Sequence, residues 1–74
     1  MQEQKVDYRK LLERDYPEEL RPGGHVDWMM EHCQWLDAHP EEWKTEPTWL
    51  REAYRENPEE AVLKASYEFL RSFA

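Results

Sequence analysis

The stretch "NPEEAVLKASYEFLRSFA" (residues 57–74) decides the fold, because its apolar residues recur at helical rather than strand spacing. Lys64 lies four residues from both Glu60 and Glu68, a spacing typical of the solvated face of a helix. The opposite face gathers the apolar residues and one serine: Val62, Leu63, Ser66, Phe69, Leu70 and Phe73. The stretch therefore predicts an amphipathic helix over about residues 58–73, with this face turned towards a core.

The beginning of this stretch has the composition of a helix N-terminus. Asn57 is a preferred N-cap residue, whose side chain accepts a hydrogen bond from an otherwise unpaired backbone N–H. Pro58 lacks the N–H that would have no partner at the first helical position. Glu59 and Glu60 would lie at the positive end of the helix dipole. These four residues predict that the helix begins at Pro58.

The Pro-Glu-Glu triplet occurs twice more, at residues 17–19 and 40–42. Asp15 is expected to cap the first of these and His39 the second. Because histidine is a poorer cap, the helix that begins after His39 is predicted to be short. The triplets begin at residues 17, 40 and 58, so they lack the fixed period of a tandem repeat. We interpret them as helix-start signals.

The rest of the chain also favours helices, since no segment alternates with period two and no hairpin turn signal is present. The strongest break is the Pro-Gly-Gly sequence at residues 22–24. The apolar arc of the helix that follows covers about half of its circumference, more than contact with one neighbour requires. The predicted fold is all-α, a single small domain over residues 1–74. It is a bundle of three to four helices at about residues 4–16, 25–38, 46–56 and 58–73, with a short helical turn near 40–44.

Charge and cysteine content narrow the classes of partner. The 74 residues carry 17 acidic and 10 basic side chains, a net charge of −7. An acidic surface repels nucleic-acid phosphates and anionic lipid, so neither direct nucleic-acid binding nor membrane binding is expected. A protein with a basic surface is the favoured partner, and nucleic-acid-binding proteins are one class of this kind. With Cys33 as the single cysteine and no apolar run at the N-terminus, a cytoplasmic location is expected.

Four residues of metal-binding type occur within one short interval, namely His25, His32, Cys33 and His39. Seven residues separate the first two histidines, which is about 10.5 Å along a helix axis and too far for one ion. Neighbouring His32 and Cys33 diverge by roughly 100° on a helix. The sequence therefore predicts no metal and no cofactor.

Catalysis is not expected either. The carboxylate pairs Glu41–Glu42 and Glu59–Glu60 are adjacent in sequence and do not face each other on a helix. The chain contains no phosphate-binding glycine loop and no nucleophile or metalloprotease motif. We predict that the chain is not an enzyme.

The four tryptophans are the most informative residues, because they all lie within 22 positions that are rich in carboxylates. Trp49 shares a stripe with Leu50 and is assigned to the core, together with either Trp28 or Trp35. Trp43 is expected to be exposed in an acidic turn. The predicted partner-binding residues are Trp28, Glu31, Asp37, Glu41, Glu42, Trp43 and Glu46.

The functional hypothesis from these residues is a small acidic protein-binding module. It would inhibit or regulate a partner by covering a basic surface. A narrower version of this hypothesis is a mimic of DNA, in the manner of anti-restriction or anti-CRISPR inhibitors. The alternative is a structural homodimer or scaffold subunit, closed by the tryptophan-rich second helix.

Overall fold

The computed structural model describes residues 6–73, and within that range it contains four α-helices, two 3₁₀ helices and no strand. The α-helices are α1 (Tyr8–Asp15), α2 (His25–Ala38), α3 (Thr48–Glu56) and α4 (Pro58–Arg71). The 3₁₀ helices span Pro17–Leu20, before α2, and Pro40–Thr45, between α2 and α3. The predicted all-α bundle is confirmed. No helix among the described residues has the length and apolar character needed to cross a membrane.

Helix α4 is the centre of the bundle, since each of the other three α-helices packs against it. Its contribution to the core is the run Ala61, Val62 and Leu63, followed one turn later by Ser66, all of them buried. The other buried residues are Leu12, Met29, Cys33, Leu36, Trp43 and Leu50. A thin core of this kind is typical of such a small domain.

The predicted cap of α4 is confirmed, because the Oδ1 of Asn57 accepts a hydrogen bond from the Glu60 N–H at 3.2 Å. The predicted cap at Asp15 is wrong. Tyr16 takes the N-cap position of the 3₁₀ helix Pro17–Leu20 and makes no side-chain cap bond. The Asp15 carboxylate instead accepts hydrogen bonds from Arg14 and Tyr67. A charged partner and a partner from α4 therefore outcompete the local backbone N–H.

Two helices begin later than the sequence predicts. Helix α1 begins at Tyr8 because Asp7 is its N-cap and accepts from the Lys10 N–H at 3.2 Å. The predicted start of this helix at residue 4 lies outside the described residues. Helix α3 begins at Thr48 rather than 46, since Pro47 occupies its N-cap position with an extended backbone. These are shifts of boundaries and leave the order of helices unchanged.

The turn before α2 sets where that helix begins. Gly23 has φ of +86°, a conformation that favours glycine. A Cβ on Gly24 would lie 2.5 Å from the carbonyl oxygen of Glu19, so only glycine allows this close approach. The Glu19 side chain then accepts from the backbone N–H of His25 at 2.7 Å and supplies the cap that Gly24 lacks. The Pro17–Leu20 segment and the glycines together fix the first residue of α2.

The end of α4 departs from the expected apolar face. Phe69 is 50% exposed and Phe73 is 75% exposed, so their assignment to the core is wrong. Both lie beyond the turn of α4 that covers the core, whose last buried residue is Ser66. The apolar stripe of the sequence continues past the end of the surface that it packs against.

Candidate protein-binding surface

A continuous row of aromatic rings crosses the surface of α2 and the end of α4. We call it the aromatic strip and define it by seven residues: His25, Trp28, His32, Trp35, His39, Phe69 and Phe73. It contains all three histidines of the chain and two of its four tryptophans. Each ring contacts the next in the row.

The strip follows from the spacing of its residues. Those on α2 and its C-cap recur at intervals of three, four, three and four residues, from 25 to 39. This 3.5-residue period keeps the side chains in one narrow stripe along a helix. The two phenylalanines are four residues apart near the end of α4, and the first of them meets the N-terminal end of α2. This joint recurrence of histidine and tryptophan is visible in the sequence, but it was not predicted as one exposed surface.

Four of the six ring contacts in the strip are stacked, whereas His25 is tilted against Trp28 and the two phenylalanines meet edge to face. The His32 ring lies 5.0 Å from that of Trp28, at an interplanar angle of 7°, and 6.1 Å from that of Trp35, at 12°. Trp35 stacks in turn on His39 at 4.3 Å. At the other end, His25 stacks on Phe69 at 4.8 Å with an angle of 18°. These separations are in the range of favourable aromatic pairs.

The large apolar rings of the strip are open to solvent. Trp28 is 55% exposed and Trp35 is 46% exposed, in addition to the two exposed phenylalanines described above. A fully buried aromatic side chain removes about 150–250 Å² from water, so the four rings together expose roughly 400–500 Å². The largest apolar patch of a typical monomer is about 300–600 Å² and is often functional.

Hydrogen bonds orient all three imidazoles. The Nδ1 of His25 lies 2.8 Å from the Oγ of Ser66, which is fully buried on α4. The Nε2 of His32 lies 3.1 Å from a carboxylate oxygen of Glu46. The Nδ1 of His39 donates to the Trp35 carbonyl at 3.0 Å. The three imidazole rings are therefore held in place by the fold, which makes the strip a pre-formed surface.

One of these histidines has a perturbed pKa. Burial lowers the pKa of His25 from its ordinary value of 6.5, and the nearby Glu19 carboxylate opposes that change. The neutral form of His25 is thus favoured where the strip meets the core.

The surroundings of the strip are acidic. Helix α2 contains Asp27, Glu31 and Asp37 and no lysine or arginine. Glu31 lies three residues after Trp28 and four residues before Trp35, so its carboxylate borders the exposed indoles. The strip is therefore an apolar surface with a carboxylate edge.

Trp43 does not lie at the surface, and the expectation that it is exposed is wrong. It is 5% exposed and belongs to the core cluster. A 3₁₀ helix has about three residues per turn, so Trp43 points roughly 120° away from the acidic residue before it. Its ring lies 6.1 Å from that of Tyr54 and is covered by the Arg51 guanidinium at 5.8 Å. Among the described residues, its buried Nε1 finds no acceptor.

The division of the other three tryptophans between core and surface agrees with the prediction only in part. Trp49 is partly buried against the core, as expected, and Lys64 Nζ lies 4.3 Å from the centre of its ring. The expectation that Trp28 or Trp35 is buried is wrong, since both are exposed. The core face of α2 consists of Met29, Cys33 and Leu36, and consecutive helical residues are about 100° apart. Trp28 and Trp35 each directly precede one of these buried residues, so their side chains lie about 100° away from it around the helix, outside this core face.

The carboxylates predicted to bind a partner do not form one surface. Glu31 borders the strip, whereas Glu46 is partly buried and engaged with His32. Glu41 is exposed and lines a groove beside Trp43. Asp37 lines a second recess together with Arg51, Tyr54 and Arg55. Burial and the Asp37 carboxylate raise the pKa of Tyr54. Glu42 is partly buried, and its backbone carbonyl accepts from Thr45.

Cys33 lies in the core and is fully buried. Burial, with smaller contributions from nearby carboxylates, raises the pKa of its thiol to about 11. The thiol therefore stays protonated near neutral pH and is a poor nucleophile and a poor metal ligand. Across residues 6–73, no group of three or more His, Cys, Asp or Glu residues is arranged to hold a metal ion.

Comparison of the chain with protein-family models, with curated proteins and with solved structures found no match.

Proposed function

We propose that this chain is a protein-binding module whose binding surface is the aromatic strip. The observation that carries the proposal is the exposure of two tryptophans on α2 and two phenylalanines at the end of α4, which the histidine rings of α2 join into one row. A domain with a thin core would gain stability by burying such rings. The exposure of these rings in one ordered row supports the proposal that a partner covers them.

The chemistry around the strip favours a cationic partner. Helix α2 presents three carboxylates and no lysine or arginine, and the whole chain has a net charge of −7. A partner that covers the strip would place apolar side chains across the rings and arginine or lysine beside Glu31 and Asp27. An amphipathic segment of a basic protein has this composition. Electrostatic attraction would accelerate its association.

The proposed effect on the partner is inhibition or regulation, through masking of its basic surface. Imitation of DNA is a narrower version of the same proposal, and a partner that also binds nucleic acid would favour it. The homodimer is the competing function for the same strip. Two copies would bring together surfaces that each carry net negative charge, which counts against that function.

The test compares capture by three forms of the full chain in an extract of the source cells. The strip variant carries Trp28→Ser and Trp35→Ser, and the matched control carries Gln34→Ser at an exposed position of the same helix. A basic protein held by the wild-type chain and the control, but lost by the strip variant, is then purified and its affinity measured. The two substitutions should weaken binding by about 2 kcal/mol or more, roughly thirtyfold.

Three outcomes would contradict the proposal. The strip variant could bind the partner as the wild type does, which would place the interface elsewhere. The partner could bind equally well at low salt and at about 0.15 M salt, which would show that electrostatic attraction does not contribute to binding. Sedimentation could show a dimer of the wild-type chain that the strip variant does not form, and the homodimer would then replace the proposed module.

A further inference from the structure

A second surface of the molecule has the opposite charge character. A groove of about 470 Å³ lies between the 3₁₀ helix Pro40–Thr45 and α3. Its lining residues are Pro40, Glu41, Trp43, Lys44, Pro47, Thr48, Arg51, Glu52 and Arg55. The volume is within the range of about 300–1,000 Å³ that is usual for ligand sites. None of the residues of the aromatic strip contributes to it.

Three of the ten basic residues of this acidic chain line the groove. Lys44, Arg51 and Arg55 line it, against two carboxylates, whereas the chain as a whole has an excess of seven acids. Among residues 6–73, none of these three cations forms an ion pair or a hydrogen bond with another described side chain. Arg51 rests on the Trp43 ring, and Arg55 is exposed. Their donors are available to an anionic ligand.

The spacing of the two arginines selects the form of that ligand. Arg51 and Arg55 are four residues apart on α3, which is about 6 Å along the helix axis. Alternate residues of an extended peptide lie on one side and are about 6.6 Å apart. We propose that the groove binds an extended acidic segment of a partner chain, in which two carboxylate residues separated by one residue pair with Arg51 and Arg55.

The apolar wall of the groove accounts for the residue between the two carboxylates. When the carboxylates face α3, the intervening side chain points to the opposite side of the peptide. The apolar part of the lining consists of Pro40, Trp43 and Pro47. An aliphatic side chain fits this wall, so the motif is an acidic residue, an aliphatic residue and a second acidic residue. This site is independent of the aromatic strip and of the function proposed for it.

The test is a titration of the full ¹⁵N-labelled chain, followed by NMR, with the peptide acetyl-Ser-Glu-Leu-Glu-Ser-amide. We expect saturable shifts confined to amides of residues 40–55 and to the indole N–H of Trp43, which has no acceptor among the described residues. Two further ligands define the chemistry. A peptide with glutamine in place of both glutamates lacks the charge, and glutarate supplies two carboxylates without the peptide.

Variants locate the site. Arg55→Gln should weaken binding of the glutamate peptide by about tenfold, the usual effect of losing one charge-assisted hydrogen bond. Lys44→Gln removes a cation that lines the groove without pairing with either carboxylate, so it should weaken binding by less. Arg71→Gln, an exposed arginine of α4 outside the groove, is the matched control and should leave the affinity unchanged. Arg51 is left intact because it covers the buried Trp43 ring.

The proposal is overturned if the glutamine peptide binds as tightly as the glutamate peptide, or if no saturable shift occurs. Equal binding of glutarate would assign the groove to free dicarboxylates instead of a peptide segment. Equal effects of Arg55→Gln and Arg71→Gln would show that the peptide responds to general charge and not to this groove. Tighter binding of the glutamate peptide than of the glutamine peptide, weakened by substitution of Arg55 and of Lys44, supports the proposal.

Discussion

The two Trp-Leu dipeptides of the chain, Trp35–Leu36 on α2 and Trp49–Leu50 on α3, have the same composition and different environments. In both, the leucine is buried, at 0% exposure for Leu36 and 1% for Leu50. Trp49 lies against the core and under Lys64, whereas Trp35 lies in the aromatic strip and is 46% exposed. The leucine sets the orientation of the helix, and the tryptophan takes whatever surroundings lie about 100° away.

This comparison separates tryptophans that stabilise the fold from tryptophans that are available for binding. Neighbouring charges do not make that separation, because all four tryptophans lie among carboxylates. Trp43 is buried between acidic residues, while Trp28 and Trp35 are exposed on the helix that supplies much of the core. The direction of each side chain relative to the core decides its role.

The largest expected effect is the loss of the buried indole. Trp43→Ala should lower the free energy of unfolding by about 3–5 kcal/mol, because it empties a large site in the core. Trp35→Ala should cost no more than about 1 kcal/mol, since it removes stacking at the surface and little buried area. Urea unfolding of both variants, monitored by far-UV circular dichroism, measures the difference. Similar losses of stability in the two variants would refute the division between core and strip.

The helices themselves could be predicted from the sequence, because their signals are local. The residues of the Asn57 cap and the apolar stripe before Ser66 lie within a few residues of each other, and α2 has the predicted bounds of 25–38. The 3₁₀ helix Pro17–Leu20 begins at one of the predicted helix-start signals, but it was not among the predicted helices. It depends on the close approach of Gly24 to Glu19, a contact that the local pattern does not reveal.

The candidate site was predicted only in part. Trp28 and Glu31 were expected at a partner surface, and both lie at the exposed strip. The exposure of Phe69 could not be read from its stripe, because it depends on where α2 begins relative to the end of α4. The burial of Trp43 depends in the same way on packing against Tyr54 and Arg51, which are eight or more residues away in sequence.

The second prediction concerns the end of the strip that meets the core. Since the fold lowers the pKa of His25, the unfolded chain binds a proton more readily than the folded chain. The contribution of His25 is therefore fully present above its unfolded pKa of about 6.5 and is lost as the pH falls through the lower folded value. Its effect should be smaller than the loss of the Trp43 indole.

Urea unfolding at several pH values between 5 and 7.5 measures this effect, since most carboxylates stay ionised in that range. The wild-type chain should lose stability as the pH falls below about 6.5. His25→Gln should reduce that dependence, because the residue that would bind the proton is gone. A pH dependence identical in the two chains would contradict the assignment of the effect to His25.

The smallest expected effect tests what holds Trp49 at the core. Lys64 Nζ lies 4.3 Å from the centre of the Trp49 ring, within the distance for a cation–π interaction. Lys64→Met keeps a flexible side chain and a similar helix propensity but removes the charge. It should lower the free energy of unfolding by about 0.5–1 kcal/mol.

Part of any change could come from Glu60 and Glu68, each four residues from Lys64, so the interaction with the ring must be isolated. A double-mutant cycle with Trp49→Leu does this, because the carboxylates are present in every member of the cycle. If Lys64→Met costs the same with leucine at position 49 as with tryptophan, the cation does not stabilise the ring, and Trp49 is held by its contact with the core alone.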